Sequence, residues 1–217
     1  MLAYLRFNNR DYEGHRIMNR LIIIGASGHG KVVADIAEKS GYSDIVFLDN
    51  NPKLITCAGY PVIGPDMMAS ELEGDLFIAI GNASIRERLM NREKGRQFPI
   101  LIHPNAVIGK GVEIGEGSVI MAGAVINPGV NLGRGVIVNT CSSIDHDCEI
   151  DDYVHVSVGA HLCGTVKARK RAWIGAGAVI INNIDICSDC ILGAGAVVTK
   201  NIEEAGVYIG VPAKRYR

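Results

Sequence analysis

Three histidines in the second half of the chain have the residue type for acid–base chemistry: His146, His155 and His161. His146 stands in Ile144-Asp145-His146-Asp147, which sets an imidazole between two carboxylates at an exposed turn. Imidazole titrates near neutrality, and a neighbouring carboxylate can orient it and raise its basicity. A lone surface histidine is normally just solvated, so the surroundings must decide. A second candidate is Gly25-Ala26-Ser27-Gly28-His29-Gly30, after the apolar run Leu21 to Ile24. It departs from the G-x-G-x-x-G dinucleotide fingerprint. Its backbone N–H groups could still hold a phosphate at a helix N-terminus. Asp49, closing the apolar run Ile45 to Leu48, is placed to meet a ribose or a base. The pair Cys187-x-x-Cys190 has the spacing of zinc or redox motifs, but no second ligand pair lies at suitable spacing.

The elements that must position these groups show a repeat. From Ile102 a large aliphatic recurs every six residues, through Ile108, Ile114, Ile120, Ile126, Leu132, Val138, Ile144 and Ile150 to Val198, with Ala168 as the small exception. Four places after each stands a small or β-branched residue, among them Ala106, Val112, Ser118, Ala124, Cys148, Ala172 and Cys190. Period six fits neither a helix nor an ordinary strand, which repeat near 3.6 and 2. It fits coils of three short strands, with the aliphatics pointing into a triangular prism and Gly or Asn taking positive φ at the corners. About seventeen such units, nearly six coils, bury one continuous column that no single unit could bury alone. Cys190 then belongs to the core, which leaves no metal expected. His155 and His161 take the last place of successive units and should face outward on adjacent sides, while His146 sits at a corner.

Upstream, strands at Leu21–Ile24, Ile45–Leu48 and Leu76–Ile80 alternate with helices at Lys31–Lys39 and from Ser84 toward Lys94, the opening of a small Rossmann-like α/β domain. A repeat domain needs no such cap, so a nucleotide-linked ligand is preferred over a bare tight turn. Residues 1–17 lack periodicity and read as a leader, expected to be disordered and given no function; 18–100 form the α/β domain and 101–217 the repeat domain with a tail. The 217 residues carry a formal net charge of −1, with 48% hydrophobic, 6% aromatic and 26 Gly. That balance points to neither nucleic acid nor a membrane as partner. The six cysteines follow no signal peptide, so a cytoplasmic protein with reduced thiols is expected.

Asn139-Thr140-Cys141-Ser142-Ser143-Ile144-Asp145-His146-Asp147-Cys148 and Tyr153-Val154-His155-Val156-Ser157-Val158-Gly159 resemble the catalytic stretch of the PglD/NeuD family of bacterial sugar acetyltransferases. Gly25 to Gly30 resembles that family's N-terminal motif, and Ile209-Gly210-Val211-Pro212-Ala213-Lys214-Arg215 resembles the closing motif of hexapeptide acyltransferases. The resemblance runs in order from Asn19 to Arg217. It implies a left-handed parallel β-helix, acetyl-CoA as co-substrate and a homotrimer with the site between prisms. It also implies N-acetylation of a UDP-4-amino-sugar in glycan biosynthesis, with O-acetylation of a sialic-acid-like sugar as the alternative. His146 matches the general base, where the family often has Glu beside it and this chain has the shorter Asp147. His155 matches a residue near the thioester, Ala176 and Ala194 match backbone contacts to the CoA arm, and Gly164 matches a candidate oxyanion donor. Ser27, Gly28, His29, Asp49 and Gly81 match contacts to the nucleotide-sugar. Asn50 replaces a second Asp, which leaves open the base, or a free sugar acid as substrate. Lys214 and Arg215 are candidates for CoA phosphates. Two rivals share the prism: a zinc carbonic anhydrase, whose histidine spacing His155 and His161 miss by one residue, and a non-enzymatic scaffold, which His146 beside Asp147 argues against.

Overall fold

The computed structural model describes residues 5–6 and 20–216. Of the leader, only Leu5–Arg6 falls within that range, as a short strand pairing antiparallel with Glu113–Ile114; the rest of the expectation for residues 1–17 lies outside the described residues.

The N-terminal body holds a five-stranded sheet in the order Thr56–Cys57, Tyr60–Gly64, Asp44–Leu48, Arg20–Ile24, Asp75–Ile78. The three strands read from sequence run parallel, with Ile22 beside Val46 on one side and Leu76 on the other. Their apolar runs are buried on both faces, as a sheet covered on both sides requires. Helix α1 spans Gly28–Lys39 and helix α2 spans Ala83–Arg92. Helix α1 begins three residues before Lys31, because the last part of the glycine-rich segment is its first turn. Arg20–Ile24 lies between Asp44–Leu48 and Asp75–Ile78, two later strands that the chain places on opposite sides of it, so the crevice at its carboxyl end is a topological switch point, the usual ligand site of such sheets. The hairpin of Thr56–Cys57 with Tyr60–Gly64 and the 3-10 turn Asp66–Glu71 carried no clear sequence signal.

From Leu101 the chain becomes a parallel β-helix of two-residue strands, one per hexapeptide, stacked into three sheets. Face one carries the strands at 101–102, 119–120, 137–138, 155–156, 173–174 and 191–192; face two those at 107–108 through 197–198; face three those at 113–114 through 185–186. Each coil adds 18 residues, so Ser143 pairs with His161 and His155 with Trp173. Both inward series fill one column, with Ala168, Cys148 and Cys190 fully buried. Burial raises the Cys148 and Cys190 thiols to about 11 and about 12, so they remain protonated.

The corners depart from expectation. Besides glycines and Asn183, which fit it, Cys141, Asp147, Tyr153, Thr165, Arg171 and Asp189 take positive φ there. Left-handed backbone costs an L-residue roughly 1–2 kcal/mol. The stacked hydrogen bonds of the neighbouring coils impose the conformation regardless of residue type, as where Asp147 N–H donates to Pro128 O and Thr165 N–H to His146 O.

The α/β body sits on face one. Leu101, Val119, Met121 and Ile137 point outward from that face and join the core of α1 and the sheet. Met90 of α2 and Phe98 pack with Tyr153 at the corner between faces three and one.

Candidate active site

His146 stands on the corner joining Ser143–Ile144 of face two to Glu149–Ile150 of face three. Its Nδ1 lies 2.8 Å from Asp147 Oδ2. The shorter carboxylate therefore reaches the ring. Asp147 at φ 58° turns its side chain back along the corner, and Gly129, one coil earlier, leaves the room: a Cβ there would meet Asp147 Oδ1 at 2.6 Å. Asp145 is held by Asn127 Nδ2 at 2.7 Å and by the His146 N–H at 2.8 Å, so it acts on the ring through charge alone. The hydrogen bond to Asp147, then the charge of Asp145, raise the His146 pKa above its ordinary value. With Nδ1–H donated to Asp147, the Nε2 lone pair is free to take a proton. A Cβ on Gly164 would lie 2.6 Å from that Nε2, so the missing side chain is what admits the ring. No hydrogen bond to the Gly164 N–H is formed among the described residues, as an oxyanion donor requires.

The second group lies at the seam between the two bodies. Ser27 caps α1 in extended conformation with no side-chain hydrogen bond to the helix. A Cβ on Gly28 or Gly81 would meet nothing within 4 Å, whereas one on Gly30 would strike Gly25 O at 2.1 Å. Gly30 is thus a packing glycine, while Gly28 and Gly81 border open space. Asp49 binds the turn itself, accepting from Ala26 N–H at 2.8 Å and from Asn51 N–H at 2.9 Å. Asn50 is engaged at both ends with Asp66, each contact 3.1 Å, which leaves it little freedom to read a base.

His155 points outward from the prism, as its place in the repeat requires, yet it is only 9% exposed, because the chain's own α/β body covers it. It stacks on Trp173 at 5.4 Å, and its Nε2 is 3.2 Å from Asn139 Nδ2. Burial, then Arg86 and His29, push its pKa down to about 3. Burial and then Arg86 push His29 down to about 4. Both rings are neutral at physiological pH, and His29 Nε2 and His155 Nδ1 are buried without a hydrogen-bond partner. Two such orphans in one seam mark polar positions that a ligand could satisfy. His161 is exposed and meets Ser143 Oγ at 2.8 Å. Ala176 and Ala194 are exposed at the corner after Trp173–Ile174 and Ile191–Leu192, and Lys214 and Arg215 are exposed near the terminus.

The residues therefore fall into two sets. Ser27, Gly28, His29, Asp49, Gly81 and His155 gather at the seam on face one, whereas His146, Asp147 and Gly164 occupy the corner opposite that face. His155 and His161 lie on different faces, which separates them as joint metal ligands. Among the described residues no group of three or more His, Cys, Asp or Glu is arranged to hold a metal ion, and no helix is long and apolar enough to cross a membrane. Sequence reading missed Asn127, Gly129, Asn139, Trp173 and Arg86. Asn127, Gly129 and Trp173 could have been found by stepping one coil of 18 residues from Asp145, Asp147 and His155.

A prism of hexapeptide coils with an α/β body seated on one face is the architecture of hexapeptide-repeat proteins, and similarity to known proteins decides among the activities such a prism can carry. Residues 20–92 match the PglD N-terminal domain and residues 101–128 the bacterial transferase hexapeptide (six repeats). The GDP-perosamine N-acetyltransferase of Escherichia coli O157:H7 is 31% identical over 174 residues, 75% of this chain and 78% of that protein. The UDP-N-acetylbacillosamine N-acetyltransferase of Bacillus subtilis strain 168 is 37% identical over 113 residues, 48% of this chain and 52% of that one. The acetyltransferase domain of PglB from Neisseria gonorrhoeae FA1090, solved in complex with acetyl coenzyme A, superposes with a TM-score of 0.87 at 40% identity, covering 91% of this chain and 98% of that one. The chain belongs to the PglD/NeuD family of hexapeptide sugar acetyltransferases.

Proposed function

We propose that this protein transfers the acetyl group of acetyl-CoA to the amine of a nucleotide-linked 4-amino-sugar, at sites shared between neighbouring chains of a homotrimer. The observation that carries the reading is the separation of the two residue sets. A cleft on face one and a base on the opposite corner cannot serve one substrate within a single prism. A threefold ring of prisms sets each chain's corner against the next chain's cleft, which completes the site.

In this reading residues 18–100 hold the nucleotide and residues 101–217 hold acetyl-CoA and the base. The diphosphate meets the N-terminus of α1 at Ser27, Gly28 and His29, where its backbone can be approached closely. Gly81 and Asp49 border the rest of the nucleotide, Asp49 by fixing the turn. The CoA arm runs along the corner of Ala176 and Ala194. The sugar amine attacks the thioester carbonyl, and His146 Nε2 takes its proton while Asp147 holds Nδ1–H. The tetrahedral oxyanion is met by the Gly164 N–H. Collapse breaks the C–S bond, the thiolate leaves and takes up a proton, and the products are an N-acetyl sugar nucleotide and CoA. The two relatives named above as N-acetyltransferases act on amines, which favours N- over O-acetylation, and they divide between GDP and UDP sugars. A cytoplasmic location, where both substrates would be available, goes with the reading.

A thiol-release assay with acetyl-CoA against UDP- and GDP-linked 4-amino-sugars tests the activity; no release with any amino-sugar would overturn it. Complementation tests the shared site. His146→Ala removes the base, and Gly28→Leu projects a side chain into the cleft from a position where a Cβ meets nothing within 4 Å. Each alone should be inactive, and co-expressed chains should recover about a quarter of wild-type turnover, the fraction of sites that pair an intact cleft with an intact base. Zero recovery, with mixed oligomers present, would place cleft and base in one chain.

A further inference from the structure

We propose that Arg86 is a positioning residue that fixes the nucleotide cleft in register with the prism by gripping backbone carbonyls on both sides of the seam; this rests on the acetyl-transfer reading above. Arg86 lies on α2 and is 1% exposed. Toward the cleft its Nη1 donates to Ile80 O at 2.7 Å and to Gly81 O at 3.0 Å. Toward the prism its Nε donates to Gly135 O and its Nη2 to Tyr153 O, both at 2.7 Å. One planar guanidinium thus joins the turn at the cleft edge to two successive coils, at a point two residues before His155.

The choice of group is informative. A buried arginine ordinarily pairs with a carboxylate, because burying an uncompensated cation is expensive. Among the described residues Arg86 donates to four backbone carbonyls and to no carboxylate. Adhesion of the two bodies does not need it, since Met90, Phe98 and Tyr153 already seal the same contact with apolar surface. A charge kept at such a cost points to a role in the site. Its two cleft-side acceptors belong to the turn on which Gly81 borders open space, so the position of that turn relative to His155 depends on this side chain. Burial lowers the guanidinium only to about 10, so it stays charged at neutral pH. Its charge acts on both His29 and His155; the other titratable group acting on His155 is His29 itself, and no carboxylate opposes them. Arg86 therefore adds to burial, the larger cause, in keeping both imidazoles neutral, with His29 Nε2 and His155 Nδ1 left for the ligand.

The adjacent Glu87 supplies the control. It binds Lys170 and, at 2.7 Å, Arg171 across the rim of the same seam, without touching the cleft. Steady-state kinetics on Arg86→Met, Arg86→Lys and Glu87→Gln should separate positioning from stability. The Met variant should raise KM for the nucleotide sugar by about tenfold or more, the loss expected from unsatisfied buried acceptors, and leave KM for acetyl-CoA within about twofold. The Lys variant, which keeps the charge but not the fork, should fall between. Glu87→Gln should lower Tm with the KM values unchanged. An unchanged sugar KM in folded Arg86→Met, or equal rises in both KM values, would overturn the proposal. If the Met variant does not fold, an unchanged sugar KM in the Lys variant would overturn it equally. Should the wild-type protein acetylate no amino-sugar, the transfer reading fails by itself. Calorimetry with UDP and GDP on wild type and variants would then decide the role of Arg86, with unchanged affinity refuting it.

Discussion

Half a coil separates His146 from His155, and the protein treats the two imidazoles in opposite ways. His146 stands in solvent at a corner, with one carboxylate on its ring and another beside its backbone, and its basicity is raised. His155 lies under the α/β body with an arginine and a second histidine for neighbours, and its basicity is suppressed. The same residue type on one scaffold thus becomes either a proton acceptor or a neutral hydrogen-bonding surface. What differs is whether the prism face is open or covered, not the repeat that presents the ring.

Four perturbations test that contrast, from large to small. Replacing His146 with Ala should lower kcat by about 10²–10⁴, the usual worth of general-base catalysis. Stopped-turnover assays showing near-wild-type kcat would remove the corner from the mechanism. Gly164→Ala places a methyl against Nε2 and should lower kcat by about 10² through ring displacement, with little change in Tm. Asp147→Asn should lower kcat by about tenfold and also move the pH profile. His146 accepts a proton only when neutral, and Asp147 raises its pKa, so losing the carboxylate should shift the acid limb of kcat toward lower pH. An unmoved limb would mean that the 2.8 Å contact does not govern the base.

The seam gives the smallest effect, read in stability. His29 and His155 titrate in the folded state at about 4 and about 3, below the ordinary histidine range. The unfolded chain therefore binds more protons as pH falls below about 6.5, and stability should drop with acidification from there. His155→Phe, which preserves the stack on Trp173, should reduce the loss of Tm between pH 7 and pH 5 by roughly 5 °C. His146→Ala should leave that slope as it is.

The prism was legible in the sequence because each hexapeptide reports its own register: the inward aliphatics and the small residues beside them need nothing distant to be recognised. That His146 and Asp147 share one corner was legible for the same reason, but whether the shorter carboxylate reaches the ring was not, because that depends on the left-handed backbone of Asp147 and the room left by Gly129. The seam was not. Arg86 stands on a polar helix with no motif around it, and its partners are carbonyls, which every residue possesses and no sequence pattern marks. The burial of His155 was hidden in the same way, because it depends on where the α/β body lands. Asn50 looked like a substitution within the ligand site until Asp66, supplied by an unrecognised 3-10 turn, was seen to occupy it. The non-glycine corners escaped because stacking overrides local preference at Thr165 and Tyr153.

The register of 18 residues per coil means that insertions act by geometry before they act by chemistry. One extra hexapeptide ahead of Asn127 would keep every downstream aliphatic inside, yet rotate the remaining prism by a third of a turn and carry the catalytic corner to a different edge. A whole additional coil would restore the edge and merely translate it along the axis. Lengthening this scaffold is therefore tolerated by the core in steps of six, but by the reaction only in steps of eighteen, and then only if the adjacent copy grows with it.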